Sequence, residues 1–223
     1  MLFPFNELIL RLDFYLWIIT ILLNYFFMIK VIPRFKAPET AISGKYFKGI
    51  FLFFLIHGFS RIAYFINDYF IMNQIVYEIG VSLGLGSIVA FMYYIESTIY
   101  TKSHHIFFIY GIFSLIISII SVILTALIIN SVVISIIMQY ATLPVLAIVI
   151  LWIYLYTMIK TVGRVRENTI IIFIGIILFM IGQMAHTPTA ADLLGDWVNY
   201  YASPLLMIIG LTLFYIGLTR SSK

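Results

Sequence analysis

The chain has 223 residues, of which 63% are hydrophobic and only 10% are charged, and its formal net charge at pH 7 is +4. With a mean hydropathy of +1.11, this composition excludes a soluble globular protein, in which about a quarter of the residues are charged. The absence of cysteine excludes disulfides, thiolate nucleophiles and cysteine-bound zinc or iron–sulfur centres. We therefore expect a single integral membrane domain over residues 1–223.

Several apolar stretches, bounded by polar residues or by proline and glycine, are long enough to cross a membrane. They lie at 8–31, 49–70, 78–100, 106–129, 132–159, 169–186 and 201–219. The first contains Arg11 and Asp13, and no small-residue cleavage site follows it, so we expect a retained helix rather than a signal peptide. Asn130 and Ser131 separate the fourth stretch from the fifth. The sequence predicts an all-α integral membrane protein, a bundle of seven transmembrane helices.

The basic residues predict the orientation of this bundle. Eleven of the thirteen lysines and arginines flank the odd-numbered connections or lie in the C-terminal tail, namely Lys30, Arg34, Lys36, Lys45, Lys48, Lys102, Lys160, Arg164, Arg166, Arg220 and Lys223. Such an excess marks the cytoplasmic face, so we expect the N-terminus outside and the C-terminus in the cytoplasm, in the plasma membrane. The partners expected of these basic loops are lipid headgroups and a cytoplasmic or membrane protein, and no nucleic acid is expected.

The sixth connection has the pattern of a short surface helix. Thr187 suits the N-cap, Pro188 the first helical position and Gly195 the C-terminal stop. This helix would carry Asp192.

A limited similarity between the two halves of the chain suggests an internal repeat. The segments 28–34 and 158–164 share a Met-Ile-Lys start and an arginine end, and His57 and His186 recur at a similar offset. A 3+1+3 parallel repeat would place a site between the halves near the midplane. The alternative is that both segments are basic only because both lie at the cytoplasmic face.

The strongest functional signal lies in the second stretch, where ionisable side chains occur inside a membrane span. Counting about 1.5 Å per residue from Lys48 places Arg61 about 20 Å into a hydrocarbon core roughly 30 Å thick. His57, Tyr64 and Asp68 recur at helical spacing and share its face. An arginine facing lipid costs about 2.5–3.5 kcal/mol on insertion scales. This face is therefore predicted to point into the bundle, either as a ligand site or as a structural network.

Other polar residues are weaker candidates. Gln183 and His186, near the end of the sixth stretch, are predicted to contribute to the ligand site. Gly80 and Gly84 predict close helix packing rather than a ligand groove. Glu96 is expected to extend toward the membrane surface, the alternatives being an ion pair with Lys160 or Arg220 and a proton relay. One histidine near two loop acids is too little for a metal site, so neither a metal nor another cofactor is expected.

The predicted topology resembles that of rhodopsins and seven-helix receptors, but 202–219 contains no lysine to form a retinal Schiff base. The possible repeat resembles that of small sugar transporters, whose proline–glutamine turns are missing here. The deep histidine His57 stands alone, unlike the histidine sets of zinc-dependent seven-helix hydrolases. The second stretch resembles, without a specific motif, the seven-helix sensory modules that precede microbial signalling domains.

These patterns favour a receptor-like sensor or ligand-binding protein in which His57, Arg61, Tyr64 and Asp68 line a polar cavity for a small ligand. The alternatives are a small-molecule transporter and a structural subunit of a membrane complex. No catalytic set of side chains is recognisable, so a non-enzymatic function is favoured.

Overall fold

The computed structural model describes residues 11–36, 41–127 and 132–220, without the side chains of 41–42, 132–140, 142–143, 188–189 and 191. Over these ranges the chain is helical and contains no strand. The long helices are α1 (Leu12–Lys36), α2 (Ala41–Ile66), α3 (Gln74–Thr98), α4 (Ile106–Leu127), α5 (Val132–Lys160), α6 (Gly163–Ala185) and α7 (Ser203–Thr219). The basic ends of α2 and α6 are also helical, so both helices begin before the predicted apolar stretches.

The predicted helical membrane protein is confirmed by the length and apolar character of these helices. In the described part of the chain, six segments could cross a membrane: Leu12–Lys36, Ser43–Ile71, Gln74–Thr98, Ile106–Leu127, Gly163–Ala185 and Val198–Thr219. The described apolar part of α5, Pro144–Lys160, is shorter than these six. A seventh span, the orientation and the repeat therefore stay predictions.

The helices form two compact units. The first contains residues 24–149, and the second contains the described residues before 24 together with 150–220. Both α1 and α5 contribute one part to each unit. The single domain predicted over 1–223 stays a prediction.

In the first unit, α3 packs against both α2 and α4. Ser60 of α2 donates a hydrogen bond to the carbonyl oxygen of Gly80 in α3, at 2.6 Å. A Cβ atom added at Gly84 would lie 3.2 Å from the Ser60 hydroxyl. The close approach predicted from Gly80 and Gly84 is thus observed, because small residues let the two helices come together.

The prediction that Glu96 extends to the surface is wrong. Its side chain on α3 is only 1% exposed, and its carboxylate accepts hydrogen bonds from the backbone N–H groups of Phe107 and Phe108, at 3.2 and 2.7 Å. These N–H groups belong to the first turn of α4, where no intrahelical acceptor exists. Glu96 therefore caps the neighbouring helix, which an account of α3 alone does not reveal.

In the second unit, α6 and α7 touch along their backbones. A Cβ atom added at Gly175 would lie 2.5 Å from the backbone nitrogen of Phe214, and one added at Gly210 would lie 2.5 Å from that of Phe179. Farther along the pair, Ser203 donates a hydrogen bond to the Gly182 carbonyl at 2.8 Å. These glycines are required because any larger residue would force the backbones apart.

The short helix predicted in the sixth connection is confirmed as Pro188–Leu194. The Ala190 N–H donates to the Thr187 hydroxyl at 3.3 Å, as expected of an N-cap. Gly195 follows the helix with a positive φ of 93°, a conformation that glycine adopts without strain. Asp192 is exposed on this helix.

Candidate functional site

The residues predicted to form the ligand site lie in two groups. His57, Arg61, Tyr64 and Asp68 belong to the unit that contains residues 24–149. Gln183 and His186 belong to the other unit. Their assignment to one site stays a prediction, and each group has its own local structure.

His57 lies in the middle of α2 and is 1% exposed. Its Nδ1 lies 2.8 Å from Oδ1 of Asn24, which is itself fully buried on α1. With an amide oxygen as acceptor, Nδ1 is the donor of this hydrogen bond. The ring stacks on Phe53 with the centroids 5.5 Å apart. One polar contact inside the apolar bundle therefore joins α1 to α2.

Arg61 follows His57 by one helical turn and is 2% exposed. Its guanidinium carbon lies 4.5 Å from the centroid of the Tyr64 ring, in the range of a cation–π interaction. The Tyr64 ring packs edge-on against Tyr77 of α3, 5.3 Å away. A Cβ atom added at Gly80 would lie 3.3 Å from the same ring. The arginine is thus enclosed by protein, as the cost of exposing it to lipid predicts.

Asp68 does not continue the regular helical face of α2. It lies in a π-helical turn, Asn67–Ile71, and accepts a hydrogen bond from the Asn67 side-chain amide at 3.0 Å. A π turn contains more residues than an α turn and changes the direction of each side chain. Regular α-helical spacing therefore applies to His57, Arg61 and Tyr64, while Asp68 interacts electrostatically with Arg61 from within the π-helical turn.

The second group surrounds His186 at the end of α6. Its Nδ1 lies 2.5 Å from Oδ1 of Asn199, in the π-helical turn Val198–Ala202. The imidazole ring packs on Trp17 of α1, with the centroids 4.4 Å apart. Gln183 is half-buried one turn earlier on α6. A histidine–asparagine pair thus occurs in each unit.

The second unit also contains an ion pair with a buried carboxylate. Arg11 Nε and Nη2 donate to the two carboxylate oxygens of Asp13, at 3.0 and 2.9 Å. The Arg11 guanidinium also lies 4.9 Å from the Tyr200 ring centroid. Because Asp13 is fully buried, this two-point contact satisfies a carboxylate that would otherwise be costly to bury.

Sequence analysis missed Asn24 and Asn199, the partners of the two histidines. The available signal for Asn24 was an amide near the centre of an otherwise apolar helix, a position where a polar side chain needs a partner. Among the residues that the structure describes, no group of three or more histidine, aspartate or glutamate side chains could hold a metal ion. The chemistry available around Arg61 is hydrogen bonding, aromatic packing and positive charge.

No protein-family model, curated protein or solved structure matches this chain. The fold and composition define a helical membrane protein.

Proposed function

We propose that the protein is a receptor-like sensor in which Arg61 binds the acidic group of a small ligand. The observation that carries the proposal is a guanidinium 2% exposed in the middle of an apolar helix and positioned over an aromatic ring. Ionisable groups inside membrane spans are rare and mark ligand or ion sites by default. The planar guanidinium is also suited to two-point recognition of a carboxylate or phosphate.

The surroundings of Arg61 support this use because they fix the guanidinium in advance. Tyr64 is held between Arg61 and Tyr77, and it fills the recess left by Gly80. A guanidinium with restricted rotamers loses less conformational entropy when it binds an anion. The proposed ligand contacts Arg61 with its acidic group and the aromatic rings with its apolar part.

The hydrogen bond between His57 and Asn24 provides a route for a signal. It joins α1 to α2 one turn from Arg61, so a ligand that displaces α2 also displaces α1. The basic ends of the same helices are in contact, since the Arg34 guanidinium lies 5.5 Å from the Phe47 ring and Phe35 packs 5.1 Å from Phe51. In the proposed orientation this end is cytoplasmic, and a protein partner docks on its basic residues.

The proposal is tested by mass spectrometry of small molecules that copurify with the wild-type protein and with Arg61→Ala. We expect an acidic compound in the wild-type sample at a level about tenfold or more above that in the variant, because charge-assisted hydrogen bonds contribute about 1.5–3 kcal/mol. Arg11→Ala is the matched control, since it removes a guanidinium from the other unit. The proposal fails if both variants retain the compound or if the wild-type protein carries bulk lipid only.

A small-molecule transporter is the second candidate. It is supported by the presence of one closely packed helix pair in each compact unit, α2–α3 and α6–α7, as an internal repeat would place them. Substrate flux into proteoliposomes that is abolished by Arg61→Ala would replace the sensor with the transporter. A purely structural subunit of a membrane complex would show neither flux nor bound ligand, and Arg61→Leu would impair its assembly.

A further inference from the structure

Two buried carboxylates on α3 face opposite ends of α4. Glu78 and Glu96 are each only 1% exposed, and they are eighteen residues apart on one helix. Glu96 meets the N-terminal end of α4, where it accepts backbone hydrogen bonds. Glu78 meets the other end of α4 through Thr125, two residues before Leu127.

The electrostatic consequences of these two positions are opposite. A helix N-terminus carries a partial positive charge and free N–H groups, so it stabilises the carboxylate of Glu96. A helix C-terminus carries a partial negative charge and free carbonyl oxygens, so it favours a cation rather than the carboxylate of Glu78. At the start of α3, the Asn73 side chain rather than Glu78 accepts from the Ile75 and Val76 N–H groups.

The hydrogen-bond partners of Glu78 are neutral. Gln74 Nε2 donates to Oε1 at 3.2 Å, and the Thr125 hydroxyl lies 3.0 and 2.9 Å from the two carboxylate oxygens. In the part of the chain that the structure describes, Glu78 forms no ion pair, and α4 contains no charged residue. A threonine hydroxyl has one hydrogen, so it cannot satisfy both carboxylate oxygens fully.

Oxygen atoms continue along the same interface. Ser82, one turn from Glu78 on α3, hydrogen-bonds with Ser118 of α4 at 2.7 Å, and Ser121 is fully buried between Ser118 and Thr125 in the sequence of α4. Carboxylate, hydroxyl and carbonyl oxygens are the ligands of hard cations. In the described residues, no three histidine, aspartate or glutamate side chains lie together. A sodium ion does not require such a group, because hydroxyl and carbonyl oxygens can complete its ligands.

We propose that Glu78 and Thr125, at the interface of α3 and α4, bind a sodium ion. The ion is held by the two carboxylate oxygens, the Thr125 hydroxyl and, after rotation of its amide, the side-chain oxygen of Gln74. Gln74 is exposed, so the carboxylate lies one side chain from the protein surface. The bound cation balances both the buried carboxylate and the negative end of α4. The proposal does not depend on Arg61 or on its ligand.

The test compares the melting temperature of the full-length protein in sodium chloride with that in choline chloride at equal ionic strength. Because a ligand that binds only the folded state stabilises it, we expect sodium at about five times its dissociation constant to raise the melting temperature by about 2–4 °C. Glu78→Gln keeps the shape and hydrogen-bonding capacity of the side chain but removes its charge, so it should abolish the response. Glu96→Gln removes the other buried carboxylate of α3 and should leave the sodium response intact.

Three results overturn the proposal. One is the absence of a sodium response in the wild-type protein, and another is an unchanged response in Glu78→Gln. The third is a melting temperature that depends on pH to the same extent in sodium and in choline, and that no longer depends on pH in Glu78→Gln. This result would show that a proton, and not sodium, binds the Glu78 carboxylate. If Glu78→Gln does not fold, ²³Na NMR of the wild-type protein and Thr125→Val decides, with at least a tenfold loss of sodium affinity expected in the variant because a ligand is removed.

Discussion

The helix pairs α2–α3 and α6–α7 both approach closely, but they do so with different surfaces. In α6–α7, glycine on one helix faces backbone on the other, as at Gly175 against Phe214 and at Gly210 against Phe179. In α2–α3, glycine faces a side chain instead. A Cβ atom added at Gly49 would lie 2.5 Å from Cβ of Tyr94, and Gly80 faces the ring of Tyr64.

Glycine can therefore allow either a direct contact between two backbones or a recess that a side chain fills. Glycine against backbone brings two helices to their closest distance. Glycine against a side chain leaves a recess that the side chain fills, as Tyr64 does at Gly80. Because Tyr64 in turn carries the Arg61 guanidinium on its face, Arg61 lies in the pair whose glycines face side chains.

The largest effect is expected from breaking the backbone contact of α6–α7. Gly210→Ala places a methyl group where the Phe179 backbone nitrogen lies 2.5 Å away, so we expect it to lower the free energy of unfolding by about 1–3 kcal/mol. Thermal unfolding in a fixed detergent measures the change. Gly86→Ala is the matched control, since its nearest neighbours would be 3.8 Å or more from the new methyl group. Equal stability of the two variants would show that the backbone contact does not hold α6 to α7.

A smaller effect is expected from the polar contact that joins α1 to α2. Asn24→Leu removes the acceptor of the His57 Nδ1 hydrogen, and hydrogen bonds between membrane helices contribute about 0.6–1.7 kcal/mol. A double-mutant cycle with His57→Leu should return a coupling energy of this size. Thr212→Val is the control, because the Thr212 hydroxyl bonds only the Ile208 carbonyl of its own helix. Additive effects of the two single variants would contradict a direct interaction between Asn24 and His57.

Sequence reasoning succeeded where one helix or one turn determines the structure. Apolar length predicted the helices, the cost of exposing a charge to lipid predicted that Arg61 is buried, and Thr187 with Gly195 predicted the short helix between them. It failed where a second helix supplies the partner. Glu96 binds amides of α4, and His57 binds the Asn24 side chain of α1. Both contacts depend on which helices are neighbours, and a single sequence does not specify this.

The π-helical turns escaped prediction for a related reason. Asn67–Ile71 and Val198–Ala202 have no proline or glycine to mark them, and spacing arguments assume 3.6 residues per turn throughout a helix. Asn67–Ile71 connects α2 to α3, and Val198–Ala202 precedes α7 in the α6–α7 pair. The first turn contains Asp68, a predicted site residue, and the second contains Asn199, the partner of His186. The geometry of both polar groups therefore depends on a local feature that regular periodicity conceals.

An effect of similar size is expected from one of the two helix caps in the connections. Asn73 accepts from the Ile75 N–H at 2.8 Å and from the Val76 N–H at 3.4 Å at the start of the long helix α3, whereas Thr187 caps a helix of only seven residues. Loss of an N-cap costs about 0.5–2 kcal/mol, so Asn73→Ala should lower the free energy of unfolding within this range.

Thr187→Ala should affect only the short helix Pro188–Leu194, because unfolding of that helix leaves the α6–α7 backbone contacts in place. Hydrogen exchange checks both variants: Asn73→Ala should increase exchange along the first turns of α3, and Thr187→Ala should do so within Pro188–Leu194 alone. Faster exchange throughout α6 and α7 in Thr187→Ala would show instead that the connection, and not the glycine contact, holds this pair together.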